Sequence, residues 1–428
     1  MPQLVTSLAD RRPPVPGDMG DLGRLTDSAL VDAAAAAIAI PRERAADSFV
    51  LHAPLELLAR AALLPMVEPS DRPIARERLR WLADTYSATG PGVDEVASPD
   101  FDFGDTGATL LALEVAIAGG DLDGADAAAV WLSRHLEAAE LAAALADPVL
   151  PLLSAAAHGS IFLFQLPRVL PRSEAAALMT RGLVRELARY PGWDLSWFQG
   201  VQPAAAESSD DLEEELSERL RRPASPGDPG SDFIYPMMSL TESSGLAHDT
   251  LHDLVAAVPV PVARRALLRT AAMSMLQDDP SQSPYGWSHC LTMPQGALAM
   301  AEACATPWHA VAIAATYVLG FRSIHGRVEL DPAWHPEHLG GDPLEALRGS
   351  PAQAAAAAWH AAPELRGAIR ARLAGRAAAH HDAHLVKYTL ACIDAAHSDP
   401  DAEHLYLAAA AHLGAWWDEA GRAQTSIA

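Results

Sequence analysis

A lysine follows a histidine by three residues in Ala383-His384-Leu385-Val386-Lys387-Tyr388, a stretch that is otherwise apolar. On a helix, that spacing puts both side chains on one face. A buried lysine is expensive to keep charged. Either it pairs with a carboxylate, for which Asp382 and Glu56 are the candidates, or it gives up its proton and becomes a chemical group. Which of the two holds depends on what else meets the amine.

Histidine is the residue type that could meet it, and the chain has 17. Besides His384, three occupy apolar contexts: His52 ahead of Ala53-Pro54-Leu55, His158 in Ala156-Ala157-His158-Gly159, and His289 in Trp287-Ser288-His289-Cys290-Leu291. Any one of these alone reads as a hydrogen-bonded core residue. Four of them, with a lysine on the face of one, point to a metal site, because neutral imidazole is a ligand for iron, copper and zinc. Asp382 is placed to orient the His384 ring from outside the ligand set. His381 is the substitute should His158 lie elsewhere. Tyr285 and Trp287, close before His289, are candidate walls for a flat aromatic substrate, and His325 is a candidate substrate contact. His335 and His338, in an HxxH loop, read as surface residues. No GxGxxG between strand and helix, no Walker loop, no HExxH and no GxSxG is present, so a familiar nucleotide or flavin site, a zincin or a hydrolase elbow is not indicated.

Asp382-Ala383-His384-Leu385-Val386-Lys387, Ser288-His289-Cys290-Leu291-Thr292, the early His52 and Ala157-His158-Gly159 together resemble the questin oxidase-like family. Order and spacing agree from about residue 45 to the C-terminus, including Leu405-Tyr406-Leu407-Ala408 and Trp416-Trp417. Where fungal members carry an arginine after the third histidine, this chain has Cys290, a departure that bears on substrate contacts. The resemblance implies oxidative ring opening of anthraquinone-type polyketides. It implies non-heme iron(II) held by His52, His158, His289, His384 and a Lys387 carboxylated by carbon dioxide. The family name also suggests a Baeyer–Villiger-type oxidation with NADPH, and a helical polyketide-binding protein is the non-enzymatic alternative. The expected partners are an aromatic substrate and dioxygen, and a homodimer is allowed.

The elements that must position these residues are helical. Alanine–leucine runs favour helix, and no sustained Val/Ile/Thr alternation marks a strand. The pattern predicts helices from Thr26–Ile38 to Asp401–Trp417, among them Pro54–Leu64, Leu150–Phe164, Pro294–Ala303 and His381–Ala396. The window Val149–Leu166 reads as one buried core helix rather than a membrane span. Residues 1–25 read as a loose arm and 203–232 as an acidic Pro/Gly-rich loop or lid, leaving one all-α bundle over 26–428 around a buried metal. The net charge of −24 argues against nucleic acid, whose phosphates need clustered Lys and Arg. Cys290, Cys304 and Cys392 are too far apart for a CxxC site. With no apolar leader at the start, the expected location is cytoplasmic.

Overall fold

The alanine-rich chain folds as its propensities direct. The computed structural model describes residues 25–43, 48–95, 103–171, 174–201, 209–338 and 340–425. It is 72% helical, with no strand among the described residues. The expected arm at 1–25 lies almost wholly outside the described residues. Of the acidic loop, 209–221 form a regular helix, Ser209–Arg221, followed by irregular chain, while 203–208 lie outside the described residues.

Four helices form a closed ring at the centre. Ser48–Leu63 packs on Gly159–Val169, which packs on Ser288–Ala299, which packs on Ala383–Ser398, and this last returns to Ser48–Leu63. Their composition explains the location. Ser288–Ala299 is buried from Ser288 to Leu298, and Ala383–Ser398 is buried along most of its length. A helix apolar on all sides is stable only inside other helices. Val260–Gln277, Pro307–His325 and Glu403–Thr425 supply that cover. Phe49–Met66 is long and apolar enough to cross a membrane, but its apolar residues serve the ring, with 61% of the stretch buried.

Three expectations need correction. Leu150–Phe164 is not one helix. The first helix ends at Val149, the chain turns irregularly, and a new helix starts at Gly159. Ala155, Ala156 and Ala157 are left-handed, with φ of 52°, 49° and 53°. Local alanine propensity is overridden there by tertiary packing. His52 does not precede a helix that begins at Pro54; the helix begins at Ser48 and carries Pro54 inside it. Likewise Pro294 lies within Ser288–Ala299 instead of starting a helix.

Close approach of two ring helices depends on Gly296. A Cβ there would stand 2.8 Å from the Ile161 backbone nitrogen and 3.0 Å from its Cα. Backbone cannot yield as a flexible side chain can. Gly296→Ala should gain about 1 kcal/mol of helix propensity and lose about 1–3 kcal/mol to overpacking. Net destabilisation in denaturant unfolding is therefore the expected outcome, against the sign that propensity alone would give.

Candidate metal centre

The ring of helices brings together the four histidines that the sequence scatters over more than 330 residues. Each lies at or near the start of its helix: His52 in the second turn of Ser48–Leu63, His158 capping Gly159–Val169, and His289 and His384 as second residues of theirs. Successive rings around the site are 4.9 Å (His52–His158), 5.2 Å (His158–His289), 5.0 Å (His289–His384) and 5.0 Å (His384–His52) apart, centroid to centroid. The ligand nitrogens of His52, His158 and His289 all lie within 4.8 Å of one another. Nitrogens bound to one ion at about 2.0–2.1 Å are at most roughly 4.2 Å apart, so a shift of under an ångström would close these three; His384 adjoins them ring to ring but stands outside that mutual distance.

Three of the rings are held from behind. His158 Nδ1 is 2.6 Å from the Ala156 carbonyl and His289 Nδ1 is 2.6 Å from the Tyr285 carbonyl. His384 Nδ1 is 3.1 Å from Asp382 Oδ1, and the same oxygen accepts from the His384 backbone N–H at 2.7 Å. Carbonyl and carboxylate oxygens only accept, which assigns the proton to Nδ1 and leaves Nε2 with its lone pair. This is how proteins prepare imidazole for a metal. His289 Nε2 is buried with no hydrogen-bond partner, an orphan acceptor of the kind that an ion would satisfy.

Lys387 completes the group. Its Nζ lies 3.3 Å from His158 Nε2, and among the described residues it forms no ion pair. The two carboxylates that could have neutralised it are engaged elsewhere. Glu56 accepts from Arg60 Nε at 2.8 Å, and Asp382 serves His384. Burial lowers the Lys387 pKa to about 7 against the opposing pull of Asp382 and Glu56. Burial, with Lys387 and His52 nearby, holds His158 well below the ordinary imidazole range. His289 is lowered in the same way, with His384 and His158 as the next causes. Burial alone would raise Asp382, but the His384 ring and its hydrogen bonds outweigh it and hold the carboxyl below its usual range. Burial thus keeps His158, His289 and His384 neutral, with one carboxylate behind them.

The remaining sequence candidates divide. Tyr285 stands edge-on to His384 at 4.7 Å and is half-buried, within reach of the centre. It belongs to a π-helical turn, Ser283–Trp287, that also aims its carbonyl at His289. Trp287 is not a pocket wall. It is fully buried, donates from Nε1 to the Asp279 carbonyl at 3.0 Å, and packs under the Arg322 guanidinium. His325 is also buried, and Phe321 stands between it and His289, 6.2 and 6.4 Å from the two rings. His381 packs on His380 and Trp417 instead of joining the four.

Sequence reasoning missed the parts that hold the donors. Arg60 ties the His52 helix to the segment before His384, donating to the carbonyls of Ala378 and His380 at 2.6 Å each. The Glu56–Arg60 spacing of four was its available signal. A cleft of about 50 Å³ reaches His158, walled by residues such as Val50, Pro54, Phe162 and Met179, with Arg42 and Glu186 among its polar lining. No protein family, curated protein or solved structure matches this chain.

Two outcomes follow from this geometry. Left-handed alanine costs about 1–2 kcal/mol, so Ala156→Gly should leave stability unchanged or slightly higher, whereas the β-branched Ala156→Val should lower it by more than about 1 kcal/mol. Paired urea titrations distinguish the two. In metal-free protein, stability should rise with pH. The unfolded chain protonates its histidines near pH 6.5, where folded His158, His289 and His384 stay neutral, so the unfolded state binds more protons below that pH and stability falls on acidification. Lys387 adds the same sign between about pH 7 and 10.5. A metal-free protein less stable at pH 9 than at pH 6 would contradict the buried-neutral assignment.

Proposed function

We propose that this protein is a non-heme iron oxygenase. In this reading His52, His158, His289, His384 and a carboxylated Lys387 hold iron(II), and the substrate is a hydroxylated polycyclic aromatic of the anthraquinone kind. The observation that carries the proposal is the closed ring of four imidazoles with an amine that forms no ion pair among the described residues. The donor set fits a divalent cation, since neutral nitrogens face inward and one of them, His289 Nε2, has no other partner. Imidazole suits zinc, copper and nickel as well as iron, so the choice of iron rests on the resemblance to questin oxidase-like proteins. A bound iron ion would supply the dioxygen chemistry that side chains lack.

The residues of this chain have definable roles in the proposal. The Lys387 nitrogen lone pair bonds to the carbon of carbon dioxide, and one C–O π pair moves onto oxygen. The nitrogen proton that the new N–C bond makes acidic is lost to solvent water, which leaves the carbamate anion. The carbamate adds the single negative charge that the neutral donor set lacks. Asp382 fixes the His384 tautomer and ring plane. Tyr285 offers its ring edge-on beside His384. The cleft, at about 50 Å³, is smaller than a typical drug-sized site of roughly 300–1,000 Å³, so a three-ring substrate must displace cleft side chains to reach the centre.

Elemental analysis of protein purified without chelator tests the reading. About one iron per chain is expected, with oxygen uptake on adding an anthraquinone or anthrone and no requirement for NADPH. Asp382→Asn should weaken iron binding about 10–100-fold, as is usual for residues behind a ligand. Lys387→Ala should weaken it further and abolish oxygen uptake with the helical circular dichroism retained. A wild-type protein that holds no metal, and shows no spectral change on anaerobic addition of iron, would leave a polyketide-binding protein as the better account.

A further inference from the structure

A second, smaller cavity continues the ring one layer beyond the imidazoles. Its walls come from the same four helices and repeat their spacing. Leu55, Ile161, Thr292 and Lys387 lie three residues after His52, His158, His289 and His384. Ala59, Gln165 and Ala391 lie seven residues after the first, second and fourth of these. Residues three and seven apart share a helix face, so each helix lines this cavity with the face that carries its histidine. Lys387 belongs to both layers, since its Nζ approaches His158 while its side chain also lines the cavity. Leu55 is the one residue shared with the cleft that reaches His158.

The cavity measures about 10 Å³, about the space of one water-sized molecule, so a larger guest enters as the side chains around it give way. Its lining is mainly apolar, and its polar members are engaged with their own neighbours. Gln295 Nε2 donates to the Ala391 carbonyl at 2.8 Å, Thr292 Oγ1 donates to the Ser288 carbonyl at 3.0 Å, and Gln165 Oε1 accepts from Arg168 at 3.2 Å. A buried water needs two to four polar partners, whereas apolar cavities stay dry and admit nonpolar guests such as xenon. We propose that this cavity is a docking site for a small apolar gas, carbon dioxide or dioxygen, feeding Lys387 and the centre by a path separate from the cleft. What the gas does there rests on the oxygenase reading; the site itself does not.

Xenon-pressurised crystals of the full chain test the site directly, and one xenon against Ala59, Ile161 and Ala391 is expected. Ala59→Val, which fills the space, should exclude xenon. It should also slow incorporation of carbon-13-labelled carbon dioxide at Lys387 several-fold, read in metal-free protein from the carbamate resonance. Leu390→Ala, which enlarges the space, should raise xenon occupancy, and keeps the test decisive should the filled variant not fold. Carbon dioxide and dioxygen are each tested for displacing xenon, and displacement by either supports the site and names the gas. An empty cavity in pressurised wild-type crystals overturns the proposal. So does displacement by neither gas, or wild-type labelling in an Ala59→Val protein that excludes xenon. Xenon in the cavity of a protein that binds no metal and takes no label would instead refute the oxygenase reading and leave the gas site standing.

Discussion

Inward-facing lone pairs are the constraint on which this structure depends. The Nδ1 groups of His158, His289 and His384 are each committed to an oxygen behind the ring, so their Nε2 atoms turn to a shared interior. No imidazole can resolve the crowding by taking a proton, because an imidazolium there would be desolvated among other basic nitrogens. The Lys387 amine offers a hydrogen to His158 Nε2 at 3.3 Å. A single divalent cation would satisfy every acceptor at once. That is the physical reason for preferring a metal to four separately packed core histidines.

The surroundings are built to keep the donors converged. Arg60, itself buried and paired with Glu56, takes two carbonyls just ahead of Asp382, which fixes the His384 turn against the His52 helix. Gly296 lets the His289 helix approach the His158 helix to backbone contact. Gly159 does the same for its own turn, where a Cβ would meet Val149 Cγ1. The left-handed run Ala155–Ala157 is the one place among the described residues where non-glycine backbone takes positive φ. It delivers both the His158 ring and the carbonyl that orients it. Strain of this kind persists only where the surroundings over-determine it, and here it coincides with a candidate ligand.

What the sequence made legible follows from which interactions are local. Alanine and leucine propensity gave the all-helical class, and apolar flanks marked His52, His158, His289, His384 and Lys387 one at a time. The order of the ring could not be read, because it is set by which helices pack on which. The break before Gly159 was hidden by alanine, the best helix former, although Pro151 was a visible warning. Tyr285 and Trp287 are two residues apart and looked equivalent, yet one reaches His384 and the other is sealed under Arg322. A π-helical turn rotates successive side chains by less than an α-helix does, and no composition signal announces it. Lys387 had Glu56 as a plausible partner until Arg60, one turn further along the same helix, proved to hold that carboxylate.

The ring also bears on how an ion and the fold depend on each other. In small zinc domains the metal supplies the folding energy, because no core exists without it. Here the four helices are joined by a continuous apolar core that includes Leu57, Leu163, Leu291 and Val386, so the chain has a reason to fold whether or not an ion is bound. The unmet His289 Nε2 still subtracts, at about 1–3 kcal/mol for a buried group left without a partner. An ion that binds only the folded state returns that energy by mass action. The centre is then a local deficit inside a self-sufficient bundle. Arg60 and Gly296 hold the helices in register around that deficit.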